Sequence, residues 1–388
     1  MRYTGVSIYG IRTPLINRGD DLAVIAADSL CAALDAERLI LTSSDVVGVT
    51  ESVVAKAQGN FAHINDIAAD IRAKFGDNTV GVVFPILSRN RFLNILKGIC
   101  LGGKRVCVLL QLPHDEVGNP IMDVNRIDEL EDALTGLISA AEFQRITGGY
   151  KHPFTGIDYV ELYGQVSNNI EIYLSYDPRD ILKLTPHALV CEVHSRERTK
   201  TRLVKAGAKT VYTLVDVLRE PVNNSGYNPD YGVLGSNLST GTELKLFPRD
   251  CDAFVTRLRK EIESRAGVAP EILIYGDGAF KDPSAGIWEL ADPVVSPGHT
   301  ARLSEQPNEI KLKLVADGLF ASASAHEKQS AITKMIREKS LSTGYRDGTT
   351  PRIFADLLGS LCDLTSGSGD KGTPVVLVKG YFDDYSSE

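Results

Sequence analysis

The sequence predicts an α/β fold with mixed sheets, and three observations carry that prediction. Short β-branched runs alternate with stretches of helical periodicity through the 388 residues. Several of the runs follow one another too closely for a helical crossover, so antiparallel pairs must accompany parallel ones. With 43% hydrophobic and 24% charged residues, the chain has material for a large core and is long for one domain, so two folded parts are expected.

The elements follow in order. A strand is expected over 3–9, a helix over 20–36 after Gly19-Asp20-Asp21, and a strand over 46–54, VVGVTESVV, that runs towards Lys56. Helical patterns recur near 64–75, 90–99, 126–146, 196–206, 250–265, 306–320, 327–338 and 351–361. Strand-like runs are VGVVF (80–84), VCVLLQL (106–112), YVELY (159–163), IEIYL (170–174), ALVCEV (188–193), TVYTL (210–214), EILIY (271–275) and VVLVKG (375–380). The stretch 220–243, rich in Asn, Gly, Pro and Tyr, reads as a long structured loop or a boundary.

Composition excludes several functions. The net charge is -8, with 50 acidic against 42 basic residues, which is the wrong sign for neutralising a phosphate backbone, so no nucleic-acid partner is expected. Six cysteines are scattered without a Cys-x-x-Cys pair or a Cys/His grouping at zinc spacing, and they read as reduced core residues of a cytoplasmic protein. The N-terminus lacks a basic-then-apolar leader, and no uncharged apolar run reaches about 18 residues, so no membrane partner is expected either.

Four stretches hold chemistry-bearing groups. SGSGDKGTP (366–374) offers backbone amides and Lys371 to a phosphate, but a strand follows it and no P-loop pattern exists, so a flexible turn is the plain alternative. IYGDGAFKDP (274–283) puts Asp277 at a strand's carboxyl end, where a carboxylate can hold a divalent cation that bridges phosphate oxygens; the alternative is an Asp-Gly turn. His114, beside Asp115 and Glu116, is a ligand or base candidate, or part of a solvated loop. His194 precedes Ser195-Arg196-Glu197-Arg198, an anion-site candidate or the ordinary start of a surface helix.

The joint order of five segments resembles the coenzyme F-420 gamma-glutamyl ligase family. YGIRTPLINRGDDL (9–22) is similar to its opening loop, VTESVVAKAQG (49–59) to its second signature, and YGVLGSNLSTGTELKLFPRDCDAFVTRLRKEI (231–262) to its third. ILIYGDGAFKDP and LTSGSGDKGTPVVLVKG resemble its metal-bearing strand end and its closing strand. Together the five segments cover a little under half the chain. The resemblance implies a discontinuous mixed-sheet ligase core from 1–100 and 226–388, with an inserted α/β region at 101–225 that the compact members lack.

The implied reaction is ligation. A carboxylate acceptor is phosphorylated by GTP or ATP with Mg²⁺ or Mn²⁺, and the amine of L-glutamate attacks the acyl phosphate to form an amide. By matching position, Ile11, Arg12, Thr13 and Pro14 border the nucleotide with Glu51 and Ser52; Lys56 faces its phosphates, where the alternative is a snorkelling surface lysine. Asn237 sits near the phosphates, Asp277 carries the metal, and Gly367, Ser368, Gly369, Asp370 and Lys371 close over the nucleotide. Lys56 and Asp277 are the catalytic candidates.

The departures from the family pattern are specific. Leu234 stands where the third motif has a metal-binding Asp, Gly278 replaces a Thr, Ser368 a Gln and Lys371 an acidic residue. Asp282, Asp370, or Asp115, Glu116, Arg196 and Arg198 from the inserted region are the candidates to compensate. The acceptor is an F-420-precursor-like acid, with a folate-like or natural-product acid as rival. A nucleotide-binding protein that has lost turnover is the reading from another class. A homodimer without flavin is expected.

Overall fold

In the computed structural model the described residues are 4–384 and 386, apart from 117, 277–278, 282–287, 291–295, 319–321, 339–351, 366 and 368. The protein has an α/β fold with mixed sheets. It forms two compact units, one of Met1–Val54, Asp250–Gly278 and Val294–Glu388, the other of Ala55–Arg249 and Ala279–Pro293.

The first unit is built on a five-stranded sheet in the order Ser7–Ile11, Val375–Lys379, Val46–Thr50, Glu271–Tyr275, Gly298–His299. Only the pair Val46–Thr50 and Glu271–Tyr275 is parallel. These two strands are buried along their whole length, which is why their sequences, VVGVT and EILIY, are nearly continuous apolar runs. One face, with Val46, Leu273, Tyr275, Val376 and Val378, packs on Ala355, Leu358 and Cys362 of the helix Phe354–Thr365. Gly48 lies on this face, where a Cβ would stand 2.8 Å from the Cys362 Sγ. Helices Leu22–Glu37 and Cys251–Ala266 lie side by side and are stitched by the Arg265 to Asp28 bond of 2.6 Å. A pair between half-buried Lys379 Nζ and buried Asp45 Oδ2, at 2.6 Å, pins the opposite end of the sheet.

The second unit is a doubly wound sheet. Its strands run in the order Ile138–Ser139, Ile170–Ser175, Val106–Gln111, Val80–Val83, His187–Val190, Thr210–Thr213, and all pairs are parallel except the edge pair at Ile138–Ser139. The chain therefore moves outward from Val80–Val83 in one direction and then returns to the other side, placing a switch point between Val80–Val83 and His187–Val190. Helices Ile64–Phe75 and Leu93–Gly102 belong to the larger core, and Val83, Leu109, Val190 and Leu203 to a smaller one. The two helices approach closely because Gly98 and Gly102 face Ile67 and Ala68; a Cβ on Gly102 would stand 2.5 Å from the Ala68 carbonyl oxygen.

Several elements differ from the sequence expectation; the helix expected over 306–320, for one, is only Leu312–Asp317. The strand expected over 46–54 ends at Thr50, and Glu51–Ala57 is a helix, so a helix carries Lys56. YVELY belongs to the helix Tyr159–Gly164, which puts Tyr159 and Tyr163 on one buried face, four residues apart, and is capped by Asp158 accepting from the Glu161 N–H at 2.9 Å. The single helix expected over 126–146 is two, Val124–Leu130 and Ala140–Thr147, separated by a turn with Gly136 at φ 69° and by the cap Ser139. Among the described residues no helix is long and apolar enough to cross a membrane. The cysteines are free, and burial pushes the Cys100 thiol up to about 12 and Cys107 to about 11, which leaves them protonated and unreactive at neutral pH.

Candidate active site

In the first unit the sheet register brings several family segments to one end. Ile11 pairs with Val375, Val375 with Val49, and Thr50 with Tyr275, so the strand ends that precede Arg12, Glu51 and Gly276 share that end with the start of the closing strand. Two backbone bonds tie the loops there: the Thr13 N–H donates to the Gly372 carbonyl at 3.3 Å, and the Thr50 N–H to the Pro374 carbonyl at 3.0 Å. Ile11 is buried, Arg12 and Pro14 are exposed and Thr13 is half-buried. Glu51, only 3% exposed, is a buried carboxylate immediately after its strand, with Ser52 half-buried beside it. Gly369, Asp370 and Lys371 are exposed in a turn closed by the Gly372 N–H to Gly369 carbonyl bond of 3.0 Å, and Gly367 is half-buried. Asp277, Gly278, Asp282 and Ser368 lie outside the described residues.

In the second unit the end of the second segment meets the third. The Gln58 side chain donates to the Arg249 carbonyl at 2.5 Å and accepts from the Arg249 N–H at 3.0 Å. Asn60, fully buried, donates to the carbonyls of Phe247 (2.7 Å) and Tyr227 (3.0 Å) and accepts from the Tyr227 N–H (3.0 Å) and Arg249 Nη1 (2.5 Å). Asn228 adds bonds to the carbonyls of Phe247 and Pro248. Lys56 is exposed, and Asn237 pairs with Lys245 in a small antiparallel sheet with Phe61–His63. Leu234 is 4% exposed within the larger core, so this position turns an apolar side chain inward and supplies no metal ligand. Among the described residues no group of three His, Cys, Asp or Glu side chains could hold a metal ion, and the expected ligand Asp277 is not among them.

Asp115 and Glu116 belong to a different feature of the second unit, a cavity of 310 Å³ beyond the carboxyl ends of Val80–Val83 and Val106–Gln111. It is lined by Ser88 to Arg91, by Asp115, Glu116 and Asn119, and by His152, Thr155 and Tyr159. Asp115 is held by the Asn119 N–H at 2.7 Å and the Asn119 Nδ2 at 3.1 Å. The Glu116 Oε2 is buried without a hydrogen-bond partner among the described residues. Burial, and then the Asp115 charge, push the Glu116 carboxyl up to about 8, against the pull of the backbone amides of Glu116 and Leu87. Sequence reasoning named Asp115 and Glu116 and missed Arg89, Arg91, His152 and Tyr159. The other candidates lie elsewhere: His114 and Arg198 are exposed, and Arg196 Nη1 donates to the Val193 carbonyl at the start of its own helix.

The Glu116 carboxyl makes stability depend on pH. Its folded value near 8 lies above the ordinary 4.5, so the folded state holds the extra proton between these values, and stability falls as pH rises through that window and is flat above it. Glu116→Gln keeps the shape of the protonated acid and removes the titration. The variant should gain on the wild type from pH 5 to 8, by at most about 1.4 kcal/mol per pH unit. Urea midpoints across that range are the measurement; parallel profiles for the two proteins would contradict the buried acid.

A family model of ligases matches residues 10–380, nearly the whole chain and including 101–225. Its description is F420-0:Gamma-glutamyl ligase, and the chain belongs to that family. No curated protein gives a significant match.

Proposed function

We propose that this member of the family is a nucleotide-dependent ligase that joins L-glutamate to an F-420-precursor-like carboxylate through an acyl phosphate. The observation that carries the reading is the tie between the opening and closing segments, in which the Thr13 N–H meets the Gly372 carbonyl at the sheet end that also bears Glu51. Segments far apart in sequence thereby form one rim, with exposed Arg12 and Lys371 available to a polyanion. The acceptor carboxylate oxygen attacks the γ-phosphorus and expels nucleoside diphosphate. The glutamate amine then attacks the acyl carbonyl, and inorganic phosphate leaves with the oxygen. Such a sequence requires positive groups on the phosphates, and Lys56 is assigned that role. A divalent cation at Asp277, Mg²⁺ or Mn²⁺, belongs to the same reading and supplies further charge compensation.

Lys56→Ala should weaken GTP or ATP binding by about 1.5–3 kcal/mol, the usual loss for a hydrogen bond to a charged group. Lys56 is exposed, so the fold should be untouched. Calorimetric titration checks this, and an unchanged affinity removes Lys56 from the site. One observation favours a second reading, a nucleotide-binding protein without turnover: Leu234 packs in the core at the position of a family metal ligand. Nucleotide binding without acceptor- and glutamate-dependent nucleoside diphosphate release would select it.

A further inference from the structure

The hairpin that carries Asn237 is bonded to a loop for which the ligase reading has no role. The Leu238 N–H, one residue after Asn237, donates to the Asn90 carbonyl at 2.7 Å. Buried Asn94 donates to the Thr240 carbonyl at 3.0 Å and Lys97 to the Gly241 carbonyl at 3.3 Å, so the helix Leu93–Gly102 grips the turn of the same hairpin. The loop is anchored on its other side as well. The hydroxyl of fully buried Tyr163 donates to the Ile86 carbonyl at 2.6 Å and accepts from the Ser88 N–H at 3.1 Å. Ser88 extends the restraint, accepting at its carbonyl from the Phe92 N–H at 3.1 Å and at its Oγ from the Arg91 N–H at 3.3 Å. Bonds at 86, 88, 90 and 94 thus hold Ser88–Arg91 against the hairpin.

This loop presents a cation to solvent. Arg89 and Asn90 are exposed, and Arg91 is half-buried. Because Asn90 is bonded to Leu238, the Cα atoms of Arg89 and Asn237 lie within about 14 Å, from the spacing of chain neighbours and the reach of one backbone hydrogen bond. An extended arginine side chain and a phosphate chain together bridge that gap. An exposed arginine is ordinarily just solvated. Here the backbone on both sides of it is already fixed, so binding an anion costs little ordering beyond the side chain itself. Arg89 also borders the 310 Å³ cavity, which leaves room beside it. Leu234, three residues before Asn237, packs in the core, so that position offers no carboxylate to hold a cation. A guanidinium is the other source of positive charge, and its parallel N–H donors match two phosphate oxygens.

We propose that Arg89 is a phosphate-binding residue of this protein, its guanidinium set on the terminal phosphates of the nucleoside triphosphate beside Asn237. This assignment rests on the ligase reading for the triphosphate and on the bonded loop for the residue. The charge acts directly on the phosphate oxygens.

Calorimetric titration of the full chain with GTP and with ATP, in Mg²⁺, tests the assignment on wild type and three variants. Arg89→Ala should weaken triphosphate binding about tenfold, and Arg89→Glu about a hundredfold because it adds repulsion. Arg89→Lys should lose less than Arg89→Ala, since it keeps the charge and gives up the fork. Arg89 is exposed, so all three variants should keep the wild-type thermal midpoint. The proposal is overturned if Arg89→Ala and Arg89→Glu bind as wild type does, if Arg89→Lys binds no better than Arg89→Ala, or if the loss comes with a lowered thermal midpoint. Wild-type affinity in Arg89→Ala and Arg89→Glu, with weakened binding in Lys56→Ala, removes Arg89 and leaves the ligase reading standing; a wild type that binds neither triphosphate overturns both.

Discussion

Asn60→Ala is expected to destabilise the second unit by about 3 kcal/mol, because the substitution removes a fully buried side chain that makes four hydrogen bonds to buried and half-buried groups. The Asn60 side chain, fully buried, bridges Tyr227 at both its N–H and its carbonyl, and it reaches Phe247 and Arg249. Phe247 keeps a bond from Asn228 at 3.1 Å, but the Tyr227 N–H loses the bond that Asn60 provides. Each newly unsatisfied buried group costs about 1–3 kcal/mol. Asn60→Asp should fall between wild type and alanine, since a carboxylate accepts from Tyr227 and Arg249 but cannot donate to the two carbonyls. Hydrogen exchange in peptides from 225–249, followed through urea, reads the loss. A shift below about 1 kcal/mol would mean that the segment is held from elsewhere.

Asp277→Asn is expected to abolish turnover, a loss of at least about a hundredfold, while thermal stability stays within about 1 kcal/mol. The substitution keeps size and removes the charge that would hold a cation. Tyr275, two residues earlier in the sequence, pairs with Thr50 at the sheet end that carries Glu51. Initial rates of nucleoside diphosphate release against Mg²⁺ and Mn²⁺ concentration measure the effect. Activity near the wild-type level would reduce Asp277 to a turn residue.

The sheets were legible because their signal is local. The strands Val106–Gln111, Ile170–Ser175, Glu271–Tyr275 and Val375–Lys379 fall within a residue of their apolar runs. Two of the differences occurred where a short apolar run fits either period. Val53-Val54-Ala55 continues a strand by composition but is buried as a helix, and YVELY hid its helical spacing of Tyr159 and Tyr163 behind high β-propensity. The pair Asp158 and Glu161 was the available signal, an N-cap with an acid three residues on. The family segments were legible through their order along the chain rather than through any one motif. The cavity was not, because Arg89, Glu116 and His152 come from three separated loops that only the strand order brings together, and a lone histidine between Lys151 and Pro153 carries no signal. Asn60 was hidden for the same reason, since its partners lie 167 and 187 residues away.

The central claim is that the chain joins glutamate to a carboxylate at the expense of a nucleoside triphosphate. Incubation with GTP or ATP, Mg²⁺ or Mn²⁺, L-glutamate and a panel of F-420-precursor-like, folate-like and other carboxylic acids, followed by mass measurement of the products, tests it most directly. The account predicts an acceptor that gains one glutamyl residue, with one nucleoside diphosphate released per amide formed. Bound nucleotide with no glutamylated product from any acceptor, under conditions where the protein is folded, would contradict it.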